Sequence, residues 1–129
     1  MASLRYEARI AASADRVWQI IEDPASIPNW FPGIVSASVD GSTRTIELKS
    51  GIVMPEEILE VDALQRRFAY RIVAPQYRWH LGTIDVIELA ELDTLCVYST
   101  SAEPSTLALL IGGATAEALE SIKRIAEGT

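Results

Sequence analysis

Leu4, Tyr6, Ala8 and Ile10 alternate with Arg5, Glu7 and Arg9, a period of two that predicts a strand with one buried face. Ser13 then precedes Ala14, Val17, Trp18, Ile20 and Ile21, an apolar face at helical spacing behind a hydroxyl able to accept from a free backbone N–H. This helix ends near Asp23-Pro24. Residues 25–30 read as a second short helical turn, since Pro28 is tolerated in a first turn and Pro32-Gly33 closes the segment.

From Ile34 to Pro104 the pattern is that of strands. The predicted segments are 34–40, 43–50, 52–62, 67–73, 79–89 and 94–102. Asp40-Gly41-Ser42, beside alternating residues, is a hairpin signal. Further turns fall at Asp62 to Gln65, Ala74-Pro75-Gln76 and Glu91 to Asp93. Six strands with short links predict an antiparallel meander.

After Pro104, the residues Leu107, Leu110, Ile111, Ala114, Ala118, Ile122 and Ile125 recur in three- and four-residue steps against Glu117, Glu120, Lys123 and Arg124. This is an amphipathic helix of roughly 20 residues, about 30 Å long, interrupted at Gly112-Gly113. The whole is an α+β fold: a seven-stranded antiparallel sheet, with two short helices after the first strand, curled around a long C-terminal helix that buries one sheet face. Residues 1–129 read as a single domain.

Composition narrows the partners. Apolar residues make up 49% and charged residues 22%, a globular balance. The net charge of −7 leaves no cationic excess to neutralise phosphates, which argues against nucleic acid. Cys96 is the only cysteine, so no internal disulfide and no multi-cysteine metal site can form, and a reducing cytoplasm fits. Arg5, Glu7 and Arg9 break the apolar core a signal peptide needs. The run Leu107 to Ala114 is too short to cross a bilayer, so no membrane insertion is expected.

Several stretches then resemble a known family. The run Ala11-Ala12-Ser13-Ala14-Asp15-Arg16-Val17-Trp18, then Ile21-Glu22-Asp23-Pro24 and Ile27-Pro28-Asn29-Trp30-Phe31-Pro32-Gly33-Ile34, resembles the N-terminal signature of the START/SRPBCC superfamily, whose fold is the helix-grip. Within it the chain looks like the bacterial polyketide cyclase/dehydrase group. Gly41 with Arg44, Gly51, Glu57-Ile58 with Asp62, and Arg67-Phe68-Ala69-Tyr70-Arg71-Ile72 echo its middle strands, and Ala118-Leu119-Glu120-Ser121-Ile122-Lys123 its last helix. The resemblance covers nearly the whole chain, which is short for the pattern after Val73 and before the last helix. It implies a hydrophobic cavity and does not imply catalysis.

The candidate site residues follow from strand parity. Trp30 and Phe31 stand where the second short helix covers the cavity mouth, as lid or as core plugs; Trp18 reads as core. Phe68, Tyr70 and Ile72 share a face opposite Arg67 and Arg71, which points this trio inward. Cys96, Tyr98 and Thr100 share a face too, although Leu95 and Val97 are also apolar; Tyr98 is the second candidate tyrosine. Along Tyr77 to Val86 either Trp79 or His80 faces the cavity, with Gly82 as a bulge that switches parity. His80 is the only histidine and, if inward, the natural general acid/base; the alternative is a solvent-facing or structurally bonded residue. One of Glu56 and Glu57 points inward, and Glu57 is the candidate catalytic carboxylate, with pairing to Arg44, Arg67 or Arg71 as the blander alternative. Met54 and Leu110 complete the expected ligand-binding wall with Phe68 and Trp79. No spacing suggests a zinc site, a phosphate loop or a nucleophile elbow, so neither metal nor cofactor is expected.

The sequence therefore predicts a binder of a small hydrophobic molecule, lipid-like, aromatic or polyketide-type, as a monomer or homodimer. A cyclase or dehydratase that moves protons through His80, Tyr70 or Glu57 is the catalytic reading. A non-catalytic carrier or sensor, or a closed interaction domain without a ligand, stands as the alternative.

Overall fold

The computed structural model describes residues 2–128. Strand β1 (Ala2–Ile10) leads into helix α1 (Ala14–Ile21) and a short 3-10 helix (Pro24–Asn29). Strands β2 (Ile34–Asp40), β3 (Thr43–Leu48), β4 (Val53–Asp62), β5 (Arg67–Ile72), β6 (Trp79–Ala90) and β7 (Asp93–Glu103) follow, and helix α2 (Ser105–Glu127) closes the chain. The seven strands form one sheet in the order β1-β7-β6-β5-β4-β3-β2, antiparallel throughout.

Local signals account for these elements. Ser13 Oγ accepts from Arg16 N at 3.1 Å, and Asp23 Oδ1 accepts from Ala25 N at 3.0 Å, so each short helix starts on a side-chain cap. Pro28 sits inside the second helix, which takes the tighter 3-10 winding. Gly41 supplies the positive φ of the β2–β3 hairpin, and Asp62 Oδ1 accepts from both Leu64 N and Gln65 N in the β4–β5 turn. Register shifts at Ile34/Ser36, Ile58/Glu60 and Glu88/Ala90 mark irregularities that add local twist.

Helix α2 does not break at Gly112-Gly113; its 23 residues are continuous. It rests on β1, β7 and α1. In its first half the residues buried against the sheet are small: Ala108, Gly112 and Thr115. Gly112 lies so close to β1 that an added Cβ would collide with Leu4. The larger residues expected to pack there behave differently. Ala118 and Ile122 are buried, Leu107, Ile111, Ala114 and Ile125 are half-buried, and Leu110 is 73% exposed. The helix thus seats its second half on a solid core, while the apolar side of its first half overhangs strands β2 to β5.

Candidate functional site

Under that overhang lies a cavity of about 300 Å³, walled by Ile27, Phe31, Ile34, Ile46, Leu48, Glu56, Tyr70, Ile72, Leu110, Ile111 and Ala114. The 3-10 helix provides Ile27 and the segment after it Phe31. Strands β2 to β5 provide the floor and α2 the roof. Almost every lining side chain is apolar; the exceptions are Glu56 and Tyr70.

Strand parity decides which residues reach this interior. Up to the register shifts in β4 and β6, even-numbered residues of β3 to β7 face inward, and Arg44, Glu56, Phe68, Tyr70, His80, Ile84, Val86, Cys96, Tyr98 and Thr100 are buried. Glu57 is one step out of phase. It lies on the outer face and pairs with Arg71 at 2.6 Å, so the inward carboxylate is Glu56. Trp79 is likewise turned out, 42% exposed, while His80 is 3% exposed. Gly82 carries no bulge: it pairs with Thr100 in unbroken register, and the inward face of β6 keeps one parity across it. Its role is to leave room for the Tyr70 ring.

The aromatic candidates divide. Phe31 lines the cavity, with Trp30 behind it, 5.9 Å from Phe31 and 6.5 Å from Tyr98 between ring centroids. Phe68 is buried beside Tyr70 but does not border the cavity; half-buried Met54 does not border it either. Tyr70 does, and its hydroxyl lies 2.5 Å from that of Tyr98. Burial raises both phenols above their ordinary range, so each is a neutral hydroxyl at physiological pH.

A buried ion pair stands beside this tyrosine pair. Arg44 Nε donates to Glu56 Oε1 at 2.7 Å, with both side chains at least 97% removed from solvent. Arg44 Nη1 donates to the carbonyl of Pro24 at 3.1 Å, and Nη2 is buried without a hydrogen bond. The guanidinium lies 5.1 Å from the Tyr70 ring centroid and 5.4 Å from that of Phe68, within cation–π range. Burial raises the Glu56 carboxyl above its ordinary value, and the Arg44 charge opposes the shift. The sequence offers Arg44 as a partner for the inward glutamate on a neighbouring strand, and the structure forms that pair with Glu56. The fully interior position of Arg44 has no signature in the hydrophobic pattern, since an inward arginine reads as an outward one. The hint available was parity, because Arg44 shares its phase with Ile46 and Leu48.

His80 fills a gap. The β5–β6 ladder stops at Tyr70 opposite Gly82, and Ile72 N donates to His80 Nδ1 at 2.9 Å, so an imidazole replaces the next ladder bond. This fixes the tautomer with the proton on Nε2, which is buried without a partner. Burial pushes the imidazole down to about 4. His80 does not border the main cavity; it borders a second, more open hollow of about 320 Å³ around the β5–β6 loop, together with Tyr77 and Trp79. Cys96 is buried, and burial pushes its thiol up to about 12, the state of an inert core thiol. Among the described residues, no three His, Cys, Asp or Glu side chains gather to hold a metal ion, and no helix is long and apolar enough to cross a membrane.

Solved structures share this architecture. The protein XoxI from Bacillus cereus superposes with a TM-score of 0.88 at 26% identity, over 98% of this chain and 96% of that one. A START superfamily protein from Mycobacterium smegmatis gives 0.82 at 15% identity over 98% and 97%. The Zhui aromatase/cyclase from Streptomyces sp. R1128 gives 0.81 at 16% over 98% and 93%. Comparison with curated proteins finds no match. The family described as polyketide cyclase/dehydrase and lipid transport matches residues 1–127. With this match across the sequence, and with the architecture it shares with its structural neighbours, the chain belongs to the polyketide cyclase/dehydrase and lipid transport family.

Proposed function

We propose that this protein binds a small, largely apolar molecule beneath the first half of α2. The observation that carries the reading is the cavity of about 300 Å³, whose wall is apolar except for Glu56 and Tyr70. Its volume lies at the lower end for small-molecule sites, which suits a one- or two-ring compound or a short acyl chain. Burial of apolar surface supplies the affinity. The family, which includes lipid transport proteins, supports the same reading.

The test is saturable binding of N-phenyl-1-naphthylamine, followed by its fluorescence. The wild type is expected to bind one equivalent. Ala114→Trp, which fills the cavity from its roof, is expected to abolish binding while the cooperative melt is retained. Undiminished binding by Ala114→Trp would show that the dye sits elsewhere and end the proposal.

A second reading, cyclase- or dehydratase-type proton transfer, is favoured by one feature: a carboxylate with a raised pKa borders the cavity, as a base for a C–H next to a carbonyl requires. Glu56 takes the role that the sequence assigned to Glu57, with the Tyr70 hydroxyl as its neighbour. His80 contributes no base at neutral pH, because its Nδ1 is engaged and its pKa is low. Deuterium exchange at the α-carbon of 2-tetralone in D₂O tests this reading: Glu56→Gln should lose the catalysed exchange and keep the bound ketone. Equal exchange rates in the two proteins would exclude Glu56 as the base.

A further inference from the structure

We infer that the cavity selects molecules carrying a neutral O–H or N–H donor and rejects carboxylates, because one oxygen of Glu56 is left as its recognition group. This rests on the cavity being a ligand site, as proposed above, and adds the chemistry of the ligand's polar end.

Glu56 has two carboxyl oxygens, and Arg44 Nε occupies Oε1. Among the described residues nothing donates to Oε2, and Oε2 is not among the buried atoms sealed off without a partner. The side chain that owns it borders the cavity. A carboxylate oxygen can accept at about two positions, and an acceptor left unmatched in an apolar space is costly. The cavity therefore rewards an occupant that brings a donor.

The charge state follows from the pairing. A guanidinium does not release its proton in proteins, and a buried cation without a counter-charge costs more than a buried pair. Glu56 thus remains ionised against Arg44, and the free oxygen is an acceptor only. The pair is already neutral as a unit, so it calls for no further charge from the ligand. A ligand carboxylate would set a second anion against Glu56 in a low-dielectric wall, with the repulsion that implies. Tyr70, the other polar lining residue, shares a hydrogen bond with Tyr98 in which either hydroxyl can be the donor; it is neutral and brings no charge to offset an anion. Glu56 is therefore the charged group that reads the polar end, and fatty-acid-like anions are the wrong ligands for this cavity.

The experiment compares naphthalene, 2-naphthol and 2-naphthoate at pH 7 as competitors of N-phenyl-1-naphthylamine. For the wild type, 2-naphthol is expected to bind at least tenfold more tightly than naphthalene, the range of a hydrogen bond to a charged group, and 2-naphthoate more weakly than either. In Glu56→Gln the amide presents its NH₂ to the cavity and leaves Arg44 uncompensated, so the order of naphthol and naphthoate should reverse while naphthalene is unchanged. The double variant Arg44→Met/Glu56→Leu removes both charges and should bind all three according to apolar area alone; it serves where Glu56→Gln does not fold. A naphthol preference below threefold in the wild type, or one retained in the variants, overturns the inference while leaving the cavity reading intact. If naphthalene itself fails to compete, the cavity reading falls and takes this inference with it.

Discussion

A Cβ atom placed on Gly82 would lie 2.6 Å from Cζ of Tyr70, because the Tyr70 ring lies over the glycine that pairs with it across β5 and β6. The absence of a side chain at residue 82 is what lets Tyr70 lie flat, reach Tyr98 and border the cavity.

Gly82→Ala should therefore destabilise the protein by about 1–3 kcal/mol, the usual cost of overfilling a packed site, even though alanine restricts the unfolded chain more than glycine does. The urea midpoint measures this. Tyr70→Ala combined with Gly82→Ala should cost less than the sum of the single changes, since the methyl group and the ring compete for one space. Strict additivity would remove the steric explanation.

The two adjacent glycines of α2 should respond oppositely. Gly113 has open space where a Cβ would stand, so Gly113→Ala is expected to raise stability by about 0.5–1 kcal/mol through helix propensity. The added methyl of Gly112→Ala would meet Leu4 on β1, and this substitution should lower stability. Leu4→Ala in the same chain should restore part of the loss. Thermal melts of these three variants beside the wild type decide it.

Breaking the Arg44–Glu56 pair from one side should be far more harmful than removing it whole. Arg44→Met leaves a carboxyl in an apolar wall and is expected to cost about 3–5 kcal/mol, whereas Arg44→Met/Glu56→Leu should recover most of that loss. Chemical denaturation of both variants checks the comparison. A double variant as unstable as the single one would mean that the pair stabilises the fold by more than its desolvation costs.

His80 makes stability depend on pH with a definite sign. Its folded value of about 4 lies below the ordinary histidine value of 6.5. Between these values the unfolded chain holds a proton that the folded chain does not, so stability is complete above about pH 6.5 and falls as pH drops toward 4. The contribution is on the order of 3 kcal/mol. Because the chain has a single histidine, its imidazole NMR signals should stay in the neutral form down to about pH 5. Subtracting the stability curve of His80→Asn, whose side-chain oxygen can still accept from Ile72 N, isolates this slope from that of Glu56. An imidazole that titrates near 6.5 would place His80 in water.

Much of the architecture was written locally. The alternation of Leu4, Tyr6, Ala8 and Ile10, the Ser13 cap, the Asp40-Gly41 turn and the Phe68-Tyr70-Ile72 face each follow from interactions within a few residues, and each strand appears within a few positions of its predicted bounds. The periodicity of two also carried the inward face of β5 to the correct residues.

What required the tertiary structure was every choice between neighbours of equal local merit. Glu56 and Glu57 are the same residue type one step apart, and only the register of β4 against β3 and β5 puts the first beside Arg44 and the second beside Arg71 on the outer face. Trp79 and His80 pose the same choice, settled when the unpaired end of β5 takes His80 as the acceptor for Ile72 N. The cavity is also a non-local product: it exists because small residues, Ala108, Gly112 and Thr115, dock one side of α2 closely on the sheet while bulkier Leu110 and Ile111 overhang the rest. A sequence specifies which side chains are apolar and how often they recur; how closely two surfaces approach, and hence the volume left between them, depends on side chains brought together from distant parts of the chain.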